Sequence, residues 1–108
     1  MILRCQTLGW PRGPVIAQAC HAATAALFTF RNDPNVTEYY ESLTTMHKVI
    51  LEVKDEEAIL ALSETLKQAN IDHYLWNELP ENIPTALALK PYEKAFLQPY
   101  LRKYKLFK

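Results

Sequence analysis

Residues 12–24 constrain the fold of this chain most strongly, because they combine a helix start with a run of small residues. Gly13 and Pro14 mark the start of a helix that runs to about Phe30, since proline is tolerated at the first helical position. At about 100° per residue, one stripe of this helix is apolar and small enough for close packing on a sheet; it consists of Val15, Ala19, Ala22 and Ala26. A second stripe carries Gln18 and His21 near the N-terminal turns, where free N–H groups and the helix dipole favour an anion or an oxyanion. The pattern is typical of a site, and also of an ordinary buried helix.

The rest of the chain alternates between strand and helix patterns, without repeats or linkers. Asp55 and two glutamates open a helix, and Asn70 ends it. The predicted order begins with a short strand at Met1–Arg4, a loop over residues 5–12, the alanine-rich helix, and a short helix with Val36, Tyr39, Tyr40 and Leu43 at helical spacing. A strand at His47–Val53 follows, and then a helix with Ile59, Leu62 and Leu66 on its apolar face. The order ends with strands at Tyr74–Trp76 and Thr85–Leu89 and a last helix at Glu93–Tyr104 that is kinked at Pro99.

This order predicts one α/β domain over residues 1–108, a three-layer sandwich in which helices cover both faces of a four-stranded mixed sheet. The second and third strands should be parallel, since a helix of about fourteen residues separates them. The third and fourth strands should be antiparallel if they are neighbours in the sheet. The aromatic stripe of the last helix should face the core, with one tyrosine left to stack on a base; it consists of Tyr92, Phe96, Tyr100 and Tyr104 together with Leu97 and Leu101.

Composition excludes several classes of protein. The chain has 108 residues, 49% of them apolar, and twelve basic against twelve acidic side chains, so it should be globular rather than disordered. No apolar run approaches the length of a membrane span, and the start does not resemble a signal peptide. Two cysteines without a disulfide framework indicate a reducing compartment. We therefore expect a cytoplasmic monomer or small oligomer, with a homodimer left open.

The zero net charge hides a segregation. Residues 90–108 carry six basic side chains against Glu93 alone, whereas the rest of the chain carries six basic and eleven acidic ones. A basic C-terminal segment fits an RNA backbone, and binding of that kind should depend strongly on salt. The alternative is that lysines gather on the solvent-exposed face of a terminal helix, where they suit its dipole.

Residues 13–23, with the sequence Gly-Pro-Val-Ile-Ala-Gln-Ala-Cys-His-Ala-Ala, resemble the first-helix signature of type-2 peptidyl-tRNA hydrolases, Gly-Lys-x-x-x-Gln-x-Ser-His-Ala. The resemblance extends over essentially the whole chain, and includes residues 47–53, 55–57 and 84–91. It is closer still to a eukaryotic subgroup, the peptidyl-tRNA hydrolase domain-containing proteins, at residues 15–27, 70–73, 80–83 and 105–108. It implies the same α/β architecture, an esterase that acts on peptidyl-tRNA, and no cofactor.

The chain also departs from the family pattern. Pro14 stands where the hydrolases have a lysine, and Asn77 or Glu78 stands near the aspartate of their Asp-x-Gly-Arg-Thr loop, whose glycine and arginine are missing. Gln18, His21 and Thr85 match the family by position. The resemblance therefore implies the fold more firmly than it implies the chemistry.

Four residues are candidates for catalysis. His21 could act as a general base or orient the ribose end of a substrate, and Gln18 could position a carbonyl or a water molecule. Thr85 opens the fourth strand and could reach the same cleft. Glu78 lies at the end of the third strand, where α/β sheets place ligands, and could replace the missing carboxylate. The structural alternatives are helix–loop hydrogen bonds for the first two, strand propensity for Thr85, and a solvated loop position for Glu78.

Four further residues are candidates for substrate binding: Arg12, Cys20, Asn77 and Lys90. Arg12 could supply the cation that is lost at Pro14. Cys20 stands where the family has serine, and its alternative is a buried free cysteine; it points about 100° away from His21, which argues against a Cys–His nucleophile. The cysteines and histidines do not have the spacing of metal ligands, so we expect no metal.

Three function classes follow from these residues. The first is hydrolysis of the ester between a peptidyl or N-blocked aminoacyl group and tRNA, with activity reduced by the replaced lysine and aspartate. In this interpretation His21 or Glu78 activates water, Gln18 and Thr85 position the carbonyl, and backbone N–H groups of residues 15–17 stabilise the oxyanion. The second is binding of tRNA or other RNA without hydrolysis. The third is a protein-interaction module in which the cleft holds a peptide.

Overall fold

The computed structural model describes residues 2–4 and 9–108, with side chains described from residue 9 onward. The strands are β1 (Ile2–Arg4), β2 (Leu51–Val53), β3 (His73–Glu78), β4 (Ile83–Leu89) and β5 (Lys105–Leu106). The α-helices are α1 (Arg12–Thr29), α2 (Pro34–Glu41), α3 (Glu56–Gln68) and α4 (Lys94–Leu101), and a short 3-10 helix covers Leu43–Thr45.

All five strands form one mixed sheet in the order β3-β4-β1-β2-β5. β1 pairs in parallel with β2, and the other three pairings are antiparallel. The predicted fold class is confirmed, as is the antiparallel pairing of β3 with β4. β2 and β3 run in the same direction as predicted, although β4 and β1 lie between them.

The prediction of four strands was wrong, because β5 was missed. Its two residues, Lys105 and Leu106, are both exposed and are too few to show an alternating pattern. They become a strand only because they meet the free edge of β2 antiparallel, in the register of Glu52 with Lys105.

The two faces of the sheet have separate cores. On one face the small stripe of α1 packs on Ala86 and Ala88 of β4, with Tyr74 and Trp76 beside them. All four members of that stripe are buried, as the sequence predicted. On the other face α3 packs through Ile59, Leu62 and Leu66, which were also predicted correctly. Alanine on β4 lets the α1 backbone lie close to the strand that carries the candidate site.

Local sequence accounts for the ends of α3. The Asp55 carboxylate accepts a hydrogen bond from the N–H of Ala58 at 2.9 Å and caps the N-terminus. At the other end Asn70 adopts a φ of 57°, and the N–H of Ile71 donates to the Leu66 carbonyl at 2.9 Å. Asn70 also donates to the Lys67 carbonyl, which completes a Schellman motif. The predicted stop at residues 69–70 is therefore confirmed.

The second strand, the last helix and the burial of Phe96 differ from the prediction. The second strand covers Leu51–Val53 only, although the Phe107 N–H still donates to the Ile50 carbonyl at 2.9 Å. β1 covers Ile2–Arg4 and pairs with Leu51–Val53, so the described pairing between these two strands begins at Leu51. The last helix is shorter than predicted and retains Pro99 inside it. Phe96 is 50% exposed rather than core-facing, while the other five members of its stripe pack on the α3 core as expected.

No helix among the described residues is both long and apolar enough to cross a membrane.

Candidate functional site

Gln18 lies at the centre of a hydrogen-bonded cluster that joins α1 to β3 and β4. Its side-chain Nε2 lies 3.1 Å from the Pro14 carbonyl oxygen and 3.4 Å from Oε2 of Glu78. Both of these partners only accept, so this end of the carboxamide must be the nitrogen. The carboxamide oxygen Oε1 then accepts a hydrogen bond from the Thr85 hydroxyl at 2.8 Å. Gln18 is 2% exposed, so its amide is held inside the protein rather than presented to a substrate.

A β-bulge aims Thr85 at Gln18. Trp76 of β3 pairs with Ala86, but the next residue, Asn77, pairs with Pro84, so Thr85 is an extra residue in β4. Regular alternation would turn Thr85 to the same face as Leu87, away from α1. Bulges re-aim a side chain in this way. Thr85 is fully buried, and its hydroxyl acts on the site through Gln18.

Glu78 connects the cluster to the surface. Its Oε2 faces Gln18, and its Oε1 accepts a hydrogen bond from the Trp76 indole N–H at 3.1 Å. An ionised carboxylate has about four acceptor positions, so each oxygen keeps capacity for a further donor. The side chain is half-buried. Glu78 is therefore both oriented by the protein and open to a water molecule or a substrate.

His21 borders the cluster through an aromatic contact. Its ring stacks on the Trp76 indole with a centroid distance of 4.7 Å and an interplanar angle of 17°. The side chain is exposed, and within residues 9–108 its one contact of this kind is the stack on Trp76, so its ring nitrogens are open.

The position at which α1 begins decides which backbone N–H groups are free. α1 begins at Arg12 with Pro11 as its N-cap, two residues earlier than predicted, and the Val15 N–H already donates to the Pro11 carbonyl. The expectation that N–H groups of residues 15–17 face an oxyanion was therefore wrong, because a helix leaves only its first N–H groups unpaired. Pro11 and Pro14 have no N–H, so the free donors are those of Arg12 and Gly13. The exposed Arg12 side chain lies at the same end.

Two of the predicted binding residues lie beside the cluster but face elsewhere. Cys20 is exposed, not buried, and it is a free thiol. Asn77 is exposed, and alternation along β3 turns it to the face opposite Trp76 and Glu78. The sequence analysis placed both Asn77 and Glu78 near the missing aspartate. The fold brings Glu78 to Gln18 and leaves Asn77 outside the hydrogen-bonded cluster.

Lys90 lies at the other end of β4, in a separate polar cluster. It is 7% exposed, and its ammonium nitrogen lies 2.8 Å from Oδ2 of Asp33 and 3.0 Å from Oδ2 of Asp72. Burial alone would lower the pKa of Lys90, but the hydrogen bonds that its ammonium group donates to Asp33 and Asp72 outweigh burial and raise the pKa above the ordinary 10.5. Asp33 also caps α2 by accepting from the Asn35 N–H. The geometry gives Lys90 a structural role.

The other basic side chains of residues 90–108 are exposed, and Lys105 lies on β5, at the sheet edge opposite β3. Two open grooves, of about 350 and 310 Å³, are lined by residues other than the Gln18 cluster. Among residues 9–108, the acidic, cysteine and histidine side chains form no group of three that could hold a metal ion. Cys5 lies outside the described residues.

Trp76 is the member of the cluster that the sequence analysis missed. Part of the signal was available, since Trp76 closes the predicted strand and lies two residues before Glu78. The two side chains share a face because β3 continues to Glu78. Its indole N–H donates to the Glu78 carboxylate, and its flat ring stacks with His21.

Chemically, the cluster is a fixed carboxylate next to an open imidazole, with buried neutral groups beneath them. Such an arrangement can take a proton from water and hold a polar substrate, and it requires no metal for either step. Its hydroxyl group, that of Thr85, is buried and donates to Gln18, so this hydroxyl is not presented to a substrate as a nucleophile.

Comparison with known proteins gives a consistent result. The family model described as peptidyl-tRNA hydrolase PTH2 matches residues 1–107. A human protein named "Putative peptidyl-tRNA hydrolase PTRHD1" is 54% identical over 99 residues, which cover 92% of this chain and 71% of the relative. The mouse protein of the same name shows the same identity and coverage.

Proposed function

Since the chain belongs to the peptidyl-tRNA hydrolase PTH2 family, we propose that it hydrolyses the ester that joins a peptidyl or N-blocked aminoacyl group to tRNA. The observation that carries this proposal is the cluster in which Gln18 orients Glu78 and Thr85, beside the open His21. It retains the residues that match the family by position and adds a carboxylate where the family aspartate is missing.

Glu78 is the general base in this proposal. Its carboxylate accepts a proton from a water molecule whose oxygen attacks the ester carbonyl carbon. The carbonyl oxygen becomes an oxyanion next to the free N–H groups of Arg12 and Gly13 and the Arg12 guanidinium. When the carbon–oxygen bond to the ribose breaks, the ribose oxygen takes up a proton, which returns Glu78 to its ionised form.

Gln18 and Thr85 act as positioning residues rather than as groups that touch the ester. Both are buried, and the Gln18 amide hydrogens point at Pro14 and Glu78 while its oxygen faces Thr85. A rigid, fully paired layer beneath Glu78 keeps the carboxylate in one orientation, which lowers the cost of organising the site during the reaction. His21, which is exposed, holds the ribose end of the substrate.

A second candidate is RNA binding without hydrolysis. The specific observation in its favour is that every polar atom of the Gln18 amide is already engaged with protein groups, so the amide has no capacity left for a substrate carbonyl. Loss of preorganised charge from a site costs on the order of 10²–10³ in rate, and Pro14 carries no charge where the resembling hydrolases have lysine. In either case we propose tRNA as the partner and the cytoplasm as the location.

The test is release of the N-acetylated amino acid from purified N-acetyl-aminoacyl-tRNA, measured with the wild type, His21→Ala and Thr24→Ala. Thr24 is an exposed position of the same helix and serves as the matched control. Hydrolysis that is lost in His21→Ala and kept in Thr24→Ala supports the esterase. Salt-sensitive tRNA binding without any release would replace it with the binding function.

A further inference from the structure

The aromatic side chains beside the cluster form a short ladder. His21 stacks on Trp76 with nearly parallel rings, and the centroid of the Tyr74 ring lies 6.4 Å from that of Trp76 at an interplanar angle of 34°. Tyr74 and Trp76 are half-buried in the α1 core, whereas His21 is exposed and presents its outer face to solvent. The ladder thus ends in the exposed ring of His21, a flat and polar aromatic surface that rests on the Trp76 indole.

This surface lies directly beside the proposed reaction centre, because Trp76 is hydrogen-bonded to Glu78. If the proposed function holds, the ester to be cleaved is on the sugar of the last nucleotide of an RNA strand. The base of that nucleotide is attached to the same sugar, so it must lie within one nucleoside of Glu78. Single-stranded bases are recognised mainly by stacking on aromatic side chains, histidine included.

We propose that the outer face of His21, supported by Trp76, is the binding site for the terminal nucleobase of a single-stranded RNA 3′ end. This inference rests on the proposed function for the placement of the ester, and it adds the part of the substrate that binds here. The base extends the His21–Trp76 stack, and the ribose then extends toward Glu78. Stacking accepts any base, so discrimination among bases should be weak.

The probe is the RNA trinucleotide CCA, which carries no ester and therefore reports binding apart from hydrolysis. Trp76 is the natural fluorophore because it touches His21. A Trp10→Phe background removes the emission of the other tryptophan, which packs near α1. The comparison ligand is the same trinucleotide without its terminal base.

Three variants in this background separate stacking from other roles of His21. His21→Leu removes the flat ring, His21→Phe keeps a ring without nitrogens, and Phe28→Leu changes an exposed aromatic residue near the opposite end of α1. Since stacking of one base changes affinity by about fivefold or more, we expect His21→Leu to raise the Kd for CCA by at least about fivefold. His21→Phe and Phe28→Leu should remain within about twofold of the parent, and removal of the terminal base should match the effect of His21→Leu.

Equal binding of CCA and its baseless analogue, or a Kd unchanged in His21→Leu, overturns the inference. So does the absence of any CCA binding to the parent protein. These results are independent of the hydrolysis assay: an inactive wild type that binds CCA through His21 refutes the esterase and supports the stacking site. An active wild type that binds CCA and its baseless analogue equally supports the esterase and refutes the stacking site.

Discussion

β4 has a polar cluster at each end, and the two clusters differ in how fully they are closed. At its start Thr85 joins Gln18 and Glu78, and just beyond its end Lys90 joins Asp33 and Asp72. Lys90 is buried, and two carboxylates enclose its charge. The Gln18 cluster has an equally buried base, but it opens at Glu78 and His21 to the surface.

The comparison shows that burial of a polar residue does not by itself mark a functional site. Lys90 and Gln18 are both among the three buried polar residues of the described chain. The two carboxylates that pair with Lys90 belong to the scaffold, since Asp33 also caps α2. In the Gln18 cluster, by contrast, the buried pairs end in a carboxylate with unused acceptor capacity and an imidazole with open nitrogens. A substrate can form hydrogen bonds with these unused acceptor positions and ring nitrogens.

The largest expected effect is on the open cluster. Glu78→Gln keeps the size of the side chain and an acceptor for the Trp76 N–H but removes the base, so hydrolysis of N-acetyl-aminoacyl-tRNA should slow by about 100-fold or more. The measurement is kcat in single-turnover and steady-state assays. Glu81→Gln, an exposed position just after β3, is the matched control. Equal rates for Glu78→Gln and the wild type would remove Glu78 from the mechanism.

The next effect is on the buried base of the same cluster. Thr85→Val keeps the shape but leaves the Gln18 carboxamide oxygen buried without a donor, which should lower the free energy of unfolding by about 1–3 kcal/mol. Urea denaturation measures the change. Thr85→Ser retains the hydroxyl and should preserve most of the stability. If the valine variant is as stable as the wild type, the Gln18–Thr85 hydrogen bond does not hold the cluster together.

A smaller effect is expected at the closed cluster. Lys90→Met fills the same space without charge and removes the cation that pairs with Asp33 and Asp72. Because both carboxylates are partly solvated, the cost should be about 1–2 kcal/mol of unfolding free energy. The structural role predicts an unchanged KM for the tRNA ester, whereas a raised KM at unchanged stability would restore Lys90 as a substrate-binding residue.

The smallest effect is a pH dependence within the closed cluster. The hydrogen bond from Lys90 and then the Asn35 N–H hold the pKa of Asp33 below its ordinary value of 3.8. A lowered folded-state pKa means that Asp33 contributes stability above about pH 3.8 and loses it as the pH falls through the folded value. The stability difference between the wild type and Asp33→Asn should therefore be constant near neutral pH and shrink below about pH 4. Denaturation curves across that range, with Asp72→Asn at the other, partly solvated carboxylate as comparison, would show whether the difference instead stays flat.

Much of the fold could be predicted from local patterns. The buried stripes of α1 and α3 follow from helical spacing, and the end of α3 follows from Asn70, which tolerates the left-handed conformation. These features depend on a few neighbouring residues, so a sequence contains the information directly. The candidate residues Gln18, His21, Thr85 and Glu78 were also named from the chain, through residue type and family resemblance.

How these residues meet depends on contacts between distant segments. Thr85 reaches Gln18 because one extra residue in β4 breaks the alternation opposite Trp76, and β5 exists because Lys105 and Leu106 find a free edge of β2. The separation of Lys90 from the site depends on Asp33 and Asp72, which lie 57 and 18 residues away in the chain. The sequence by itself determined the helices, their buried faces and the chemical types at the site. Only the tertiary structure decided which polar groups are closed and which are open, because pairing between strands and packing of α1 set the partners of each side chain.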